Sequence, residues 1–477
     1  MLLAILRASC PRSTLPKLPR RIGYSTTTKS TMSTTFPFHI KEHVIPSQHV
    51  REYPRATSRS QEDVLYISIK QYTPIDNPTP QPGDITIIGA HANGFPKELY
   101  EPLWADLHAQ SIASQKDGHG FRIRGIWIAD VTNQGYSGVL NENTQGNDPS
   151  WHDHARDLLH MTNVFRADMP RPLIGIGHSF GAAILTKLSL LHPRLLTTLV
   201  LLDPTITTFS FQRNGPGKSA ARASTFRRET WPSREAAIES FNKSAFYRTW
   251  DPRVLAAWSQ HAVRSTPTAL FPSTSPTSDK ATLRTTKHQE VFTFFRPLWP
   301  YVDQETRTID RVGAPDFDPE MQDKLVTSTL TPEIFPFYRS EGPDILKHLP
   351  EVRPSVFWVF GGDSELGVPE ARKQKTEACG TGGGGSGGIA AGRVDSVVME
   401  GRGHLFPMEI PTECARHAAV WIGKEMRWWR EQEREYEQWT KLPAREKTTL
   451  SEKFLDNVGR PPARKGNGTV VGIESKL

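Results

Sequence analysis

The chain has 477 residues, 37% of them hydrophobic and 38 of them proline, which suits one sizeable core with long loops and is short for three domains. Six charges of the formal +7 sit on Arg7, Arg12, Lys17, Arg20, Arg21 and Lys29, and the rest of the chain is nearly neutral, which excludes a basic nucleic-acid-binding domain. No apolar run approaches the roughly 20 residues of a transmembrane helix. Cys10, Cys379 and Cys414 are too few and too scattered for a disulfide framework or a metal site, and no cofactor is expected.

Residues 1–35 are rich in Arg, Ser and Thr and contain no acid. That composition fits a mitochondrial transit peptide or a disordered extension, so the segment is set outside the fold. Next come VLYISIKQY (64–72), DITIIGAH (84–91), FRIRGIWIAD (121–130), PLIGIGHS (172–179) and LTTLVLLD (196–203). They are short, branched and apolar, as strands covered on both faces of a parallel sheet are. Helical segments separate them: WADLHAQSIASQ, WHDHARDLLHMTNVF and AAILTKLSLLH. The alternation predicts an α/β fold with a doubly wound, mostly parallel sheet.

Two more strand runs, SVFWVFGGD (355–363) and VDSVVMEG (394–401), follow only after a long gap. Residues 209–350 are therefore read as a helical cap, inserted between core segments 36–208 and 351–445. CGTGGGGSGGIAAGR (379–393) lacks the Gly-Lys-Ser/Thr ending of a phosphate cradle and is read as a flexible β–α connection. KEMRWWREQEREYEQW (424–439) is read as a surface helix packing its tryptophans on the core. The tail, 446–477, closes on Ser475-Lys476-Leu477, a peroxisomal address read by an import receptor. The N-terminal segment leaves dual routing to mitochondria open.

The chemistry centres on PLIGIGHSFGAAIL. Gly177-x-Ser179-x-Gly181 between a buried strand and a helix has the pattern of a nucleophile elbow. A serine hydroxyl is a weak nucleophile and needs an imidazole base, oriented in turn by an acid. The base is expected last in the chain, and EGRGHLFPMEIP supplies His404 after the final strand. His178 adjoins the serine, but its side chain should point the other way. His152 and His154 read as ordinary helix residues. For the acid, Asp363 after the penultimate strand ranks first and Asp203 in LLDPTI second, with Glu365 a third option. An oxyanion needs donors. The backbone of Phe180 should give one and that of Asn93, in GAHANGFPKE, the other, with Gly94 close behind.

HANGFPKELYEPLW, IGIGHSFGAAIL, the LLDP turn and EGRGHLFPMEIP resemble fungal peroxisomal α/β-hydrolases of the AK-toxin biosynthesis type, with the yeast peroxisomal lipase a more distant relative. The resemblance covers roughly residues 36–445 and implies the α/β-hydrolase fold, a Ser–acid–His triad at Ser179 and His404, and peroxisomal hydrolysis of an ester-like substrate. It also implies that the position of Asp363 need not be acidic, which keeps Asp203 in contention. The expected function is a metal-free serine hydrolase for a carboxylic ester or thioester, its acyl group lipophilic, with Arg227 and Arg228 as candidates for binding coenzyme A. An acyl-CoA thioesterase, acyltransferase or lyase could share these residues. Ser179 speaks against an aspartate-nucleophile epoxide hydrolase or dehalogenase, and the complete set against a non-catalytic binding member.

Overall fold

The computed structural model describes residues 36–115, 120–209, 219–272, 280–303, 305–306, 308–321 and 336–461. Residues 1–35 and Ser475-Lys476-Leu477 lie outside them. Within the unit Pro37–Leu477, eight strands form one sheet: β1 (Phe38–Pro46), β2 (Tyr66–Pro74), β3 (Ile85–Ala90), β4 (Ile123–Ala129), β5 (Leu173–His178), β6 (Thr198–Leu202), β7 (Ser355–Gly361) and β8 (Val394–Met399).

The strand order is β1-β2-β4-β3-β5-β6-β7-β8. β2 runs antiparallel to β1 and β4, and every other pairing is parallel. Every residue of β3, β5, β6 and β7 is buried, which explains their unbroken apolar character. The sequence did not announce β1. As an edge strand it leaves most of its side chains in water, with His39, Lys41 and Glu42 among them, so it lacks an apolar signature.

Helices α1 (Glu101–Gln115), α2 (Trp151–Val164) and α3 (Phe180–Leu191) follow β3, β4 and β5. Ser150 caps α2 by accepting the His152 N–H. Trp151, Ala155, Leu158 and Met161 recur at helical spacing on the buried face of α2 and meet Phe180, Ile184 and Leu188 of α3 in one core cluster. Each fully buried large apolar side chain there contributes about 1.5–3 kcal/mol.

The insertion between β6 and β7 carries helices at Ala220–Phe226 and Arg234–Lys243, α4 (Pro252–His261) and α5 (Lys287–Phe294). It is not wholly helical. Thr230–Trp231, Val263–Ser265 and Ala281–Leu283 form a three-stranded antiparallel sheet, and Arg296–Pro297 pairs with Phe337–Tyr338. Short strands of two or three residues leave too little alternation to be read from sequence.

The glycine-rich segment is an α–β turn rather than a flexible β–α connection. It follows a helix at Pro369–Ala378 and leads into β8, and its Gly380, Gly382 and Ser386 amides donate to Leu349, Pro350 and Val352 carbonyls at 2.9, 2.8 and 3.0 Å. The last long helix, α6 (Pro411–Thr440), starts well before the expected segment. It buries Trp421 and Trp429 but leaves Trp428 and Trp439 exposed. No helix among the described residues is long and apolar enough to cross a membrane.

Candidate active site

Ser179 stands between β5 and α3 with φ 57° and ψ −119°, a left-handed conformation that side chains rarely adopt. Its flanking glycines make that turn possible. A Cβ on Gly181 would come within 2.3 Å of the Ala90 carbonyl oxygen, and one on Gly177 within 2.8 Å of the Ala182 backbone. The turn lifts the hydroxyl to the carboxyl edge of the sheet, at the positive end of α3.

His404 reaches it from the loop after β8. Its Nε2 lies 2.8 Å from Ser179 Oγ, and its Nδ1 lies 2.6 Å from Asp203 Oδ2. The His404 side chain is 32% exposed while that of Asp203 is 1% exposed, so the line of hydrogen bonds runs from the solvent-accessible surface into the interior. Asp203 follows β6 directly, with φ 42°. It also accepts from the Gly361 N–H at 3.2 Å and from the Ser364 hydroxyl. Burial pushes the Asp203 carboxyl up, but the hydrogen bond and charge of His404, then Ser364 and Gly361, outweigh it and hold the carboxyl below its ordinary value.

This geometry corrects the first choice of acid. Asp363 and Glu365 are exposed, and Asp363 is tied to the His404 loop by its backbone N–H, which donates to the Arg402 carbonyl at 2.9 Å. β6 and β7 are parallel neighbours, so both of their exits open at one sheet edge. The chain leaving β7 turns Ser364 inward, and the acid beside the imidazole is Asp203.

His178 points away from Ser179, as expected, yet it is not idle. It is fully buried, and its Nε2 lies 3.0 Å from the His404 carbonyl oxygen. A carbonyl only accepts, so Nε2 carries the proton, and Nδ1 accepts from the Tyr100 hydroxyl at 2.9 Å. Tyr100 in turn accepts the Ala92 N–H at 2.8 Å. Burial pushes the His178 imidazole down to about 3, which keeps it neutral.

That chain of bonds ends at the loop expected to bind an oxyanion. The Ala92 N–H is engaged by Tyr100, and the Gly94 N–H donates to Gln134 Oε1 at 2.7 Å. Gly94 is therefore removed as an alternative donor. Among the described residues, the Asn93 N–H has no partner, and neither does the Phe180 N–H at the first turn of α3. Gln134 Nε2 donates to Asn93 Oδ1 at 2.8 Å, and Asn93 Nδ2 donates to the Glu290 carbonyl of α5 at 3.0 Å. The cap thereby holds the loop. A hydroxyl in contact with an imidazole–carboxylate pair, beside free amides, is an arrangement that can perform acyl transfer.

Sequence reasoning missed Tyr100, Gln134 and Ser364. Each is an unremarked polar residue near a strand exit, and only the fold shows what it faces. Arg227 is engaged inside the cap by Glu290, 2.7 Å away. Arg228 donates to the Thr230 carbonyl at 2.8 Å.

A model described as the alpha/beta hydrolase family matches residues 87–417. The chain belongs to the α/β-hydrolase family. It is 42% identical to the type I acyl-CoA thioesterase mpaH' of Penicillium brevicompactum, over 85% of this chain and 92% of that one. It is 30% identical to the abhydrolase domain-containing protein AFT2-1 of Alternaria alternata, over 54% of this chain and 85% of that one. Among solved structures it is similar to the peroxisomal α/β-hydrolase Lpx1 of Saccharomyces cerevisiae, at 15% identity and a TM-score of 0.56, covering 88% of this chain and 95% of that one. This α/β-hydrolase is an enzyme for ester or thioester hydrolysis.

Proposed function

We propose that the enzyme cleaves the thioester of a lipophilic acyl-CoA through an acyl-enzyme on Ser179. The observation that carries the reading is the continuous Ser179–His404–Asp203 hydrogen-bonded line. Ser179 Oγ attacks the thioester carbonyl while His404 Nε2 takes its proton. Asp203 keeps the proton of the neutral imidazole on Nδ1 and stabilises the imidazolium. The oxyanion is held by the Phe180 and Asn93 amides, which are already in place before the charge develops. Collapse expels coenzyme A as the thiol, protonated by His404. A water that gives its proton to His404 then attacks the acyl-serine, and the second collapse releases the carboxylic acid and returns that proton to Ser179 Oγ.

The choice of thioester is supported by the relative named an acyl-CoA thioesterase, whose similarity extends over most of both chains. An apolar acyl group is supported by the aromatic cluster beside the oxyanion loop. There the Phe95 ring meets Trp250 and Trp258 edge-on at 5.5 and 6.1 Å between centroids. Peroxisomal residence belongs to the same proposal and rests on Ser475-Lys476-Leu477.

The test compares acyl-CoAs with p-nitrophenyl esters of the same acyl chains. The reading expects kcat/KM at least about tenfold higher for the thioester, a difference of roughly 1.4 kcal/mol. Equal or faster cleavage of the oxygen esters would make the enzyme a general esterase instead.

A further inference from the structure

Beyond the three residues of the reacting line, one more side chain is built into it. We propose that Ser364 is a positioning residue for Asp203, and that its hydroxyl sets the pH range over which His404 serves as the base. This rests on the proposed roles of Ser179, His404 and Asp203.

Ser364 is 4% exposed, in the loop leaving β7. Its Oγ accepts the Leu366 N–H at 3.2 Å, which directs the hydroxyl proton the other way, onto Asp203 Oδ2. The same carboxylate oxygen faces His404 Nδ1 at 2.6 Å. Among the described residues, the second oxygen, Oδ1, takes only the Gly361 N–H at 3.2 Å. Serine and imidazole therefore share one oxygen and divide its charge between them.

Two consequences follow. With three donors the carboxylate plane cannot rotate, so Oδ2 stays in line with the imidazole. The hydroxyl also draws off part of the charge that would otherwise stabilise an imidazolium. Removing it strengthens the attraction between Asp203 and protonated His404, so the base stays protonated to higher pH.

The other charged groups around this carboxylate come from the histidine side and from the helix Pro369–Ala378. His178 is kept neutral by burial. Arg372 donates to the Gly362 carbonyl at 2.8 Å, and Lys375 to the Leu366 carbonyl at 3.0 Å. Asp363 and Glu365 of the same loop lie in solvent. None of them donates to Asp203, whereas Ser364 does.

The experiment is the rate of Ser179 modification by a fluorophosphonate, followed from pH 5 to 9 in the full-length chain. Wild type is compared with Ser364→Ala, Ser364→Thr and Asp363→Asn. Ser364→Ala should move the acid limb upward by about half to one pH unit and lower the plateau roughly three- to tenfold. Ser364→Thr, which keeps the hydroxyl, should return the limb to the wild-type position, and Asp363→Asn should overlay wild type. An unmoved limb in Ser364→Ala, whatever its plateau, would overturn the proposal, as would a shift that threonine fails to reverse. Wild type that is not modified at Ser179 at any pH would instead overturn the nucleophile assignment beneath it.

Discussion

Asp203 Oδ2 and His404 Nδ1 lie 2.6 Å apart although 201 residues separate them in sequence. The whole cap is threaded between these two residues, so the contact forms only once β6, β7 and β8 are aligned in one sheet. The carboxylate is buried and anchored from three directions, while the imidazole is partly exposed. That asymmetry suits a pair in which one member stays ionised and the other moves protons.

Replacing Asp203 by Asn should lower kcat/KM by roughly 10³–10⁴, because the amide no longer selects the Nδ1–H tautomer or stabilises an imidazolium. Asp363→Asn should change it by less than about twofold, as expected for an exposed carboxylate that has no hydrogen bond to His404 or Ser179. Steady-state kinetics of the two variants decide the matter. A large loss in Asp363→Asn with a mild one in Asp203→Asn would invert the assignment.

The elbow makes a separate demand on packing. Gly181→Ala would drive its Cβ to 2.3 Å from the Ala90 carbonyl oxygen, which belongs to β3 and cannot swing aside. The variant should lose about 2–3 kcal/mol of stability by overpacking. It should also misplace the Phe180 amide. Urea unfolding checks the first effect, and an unchanged midpoint would mean that β3 and α3 sit farther apart than described.

Acid should weaken the fold through its buried histidines. His154 is 1% exposed, and neither ring nitrogen has a hydrogen-bond partner among the described residues. Burial pushes its imidazole down from 6.5 to about 3. Below about pH 6.5 the unfolded chain therefore takes up a proton that the folded chain refuses, so stability falls as pH falls. His154→Leu removes one such proton and should reduce the loss between pH 7 and pH 5 by ~2 kcal/mol. Unfolding midpoints at the two pH values test this, and an undiminished loss in the variant would show that His154 does not contribute.

Sequence was most informative where chemistry is local. Ser179 needs a strand, two glycines and a helix within a few residues, and all of these are written side by side. His404 follows the final strand, in the position that the order of the triad requires. The parallel strands announced themselves because burial on both faces leaves only apolar residues, whereas β1 at the edge did not.

The acid was harder to read for a physical reason. Asp203 and Asp363 each follow an apolar strand, and those strands are neighbours, so either exit could reach the imidazole. What separates them is the path of the loop after β7, which turns Ser364 inward and Asp363 outward. Tyr100 and Gln134 were silent for the same reason. Their partners, His178 and Asn93, are 78 and 41 residues away.

If Ser179 is an activated nucleophile beside a formed oxyanion site, it should react with a fluorophosphonate. The most direct measurement is intact-mass analysis of the full-length protein after fluorophosphonate treatment, with Ser179→Ala alongside. A single adduct is expected on wild type and none on the variant, whose fold is unchanged by circular dichroism. Folded wild type that takes up no adduct, or a variant that is still labelled, would contradict it.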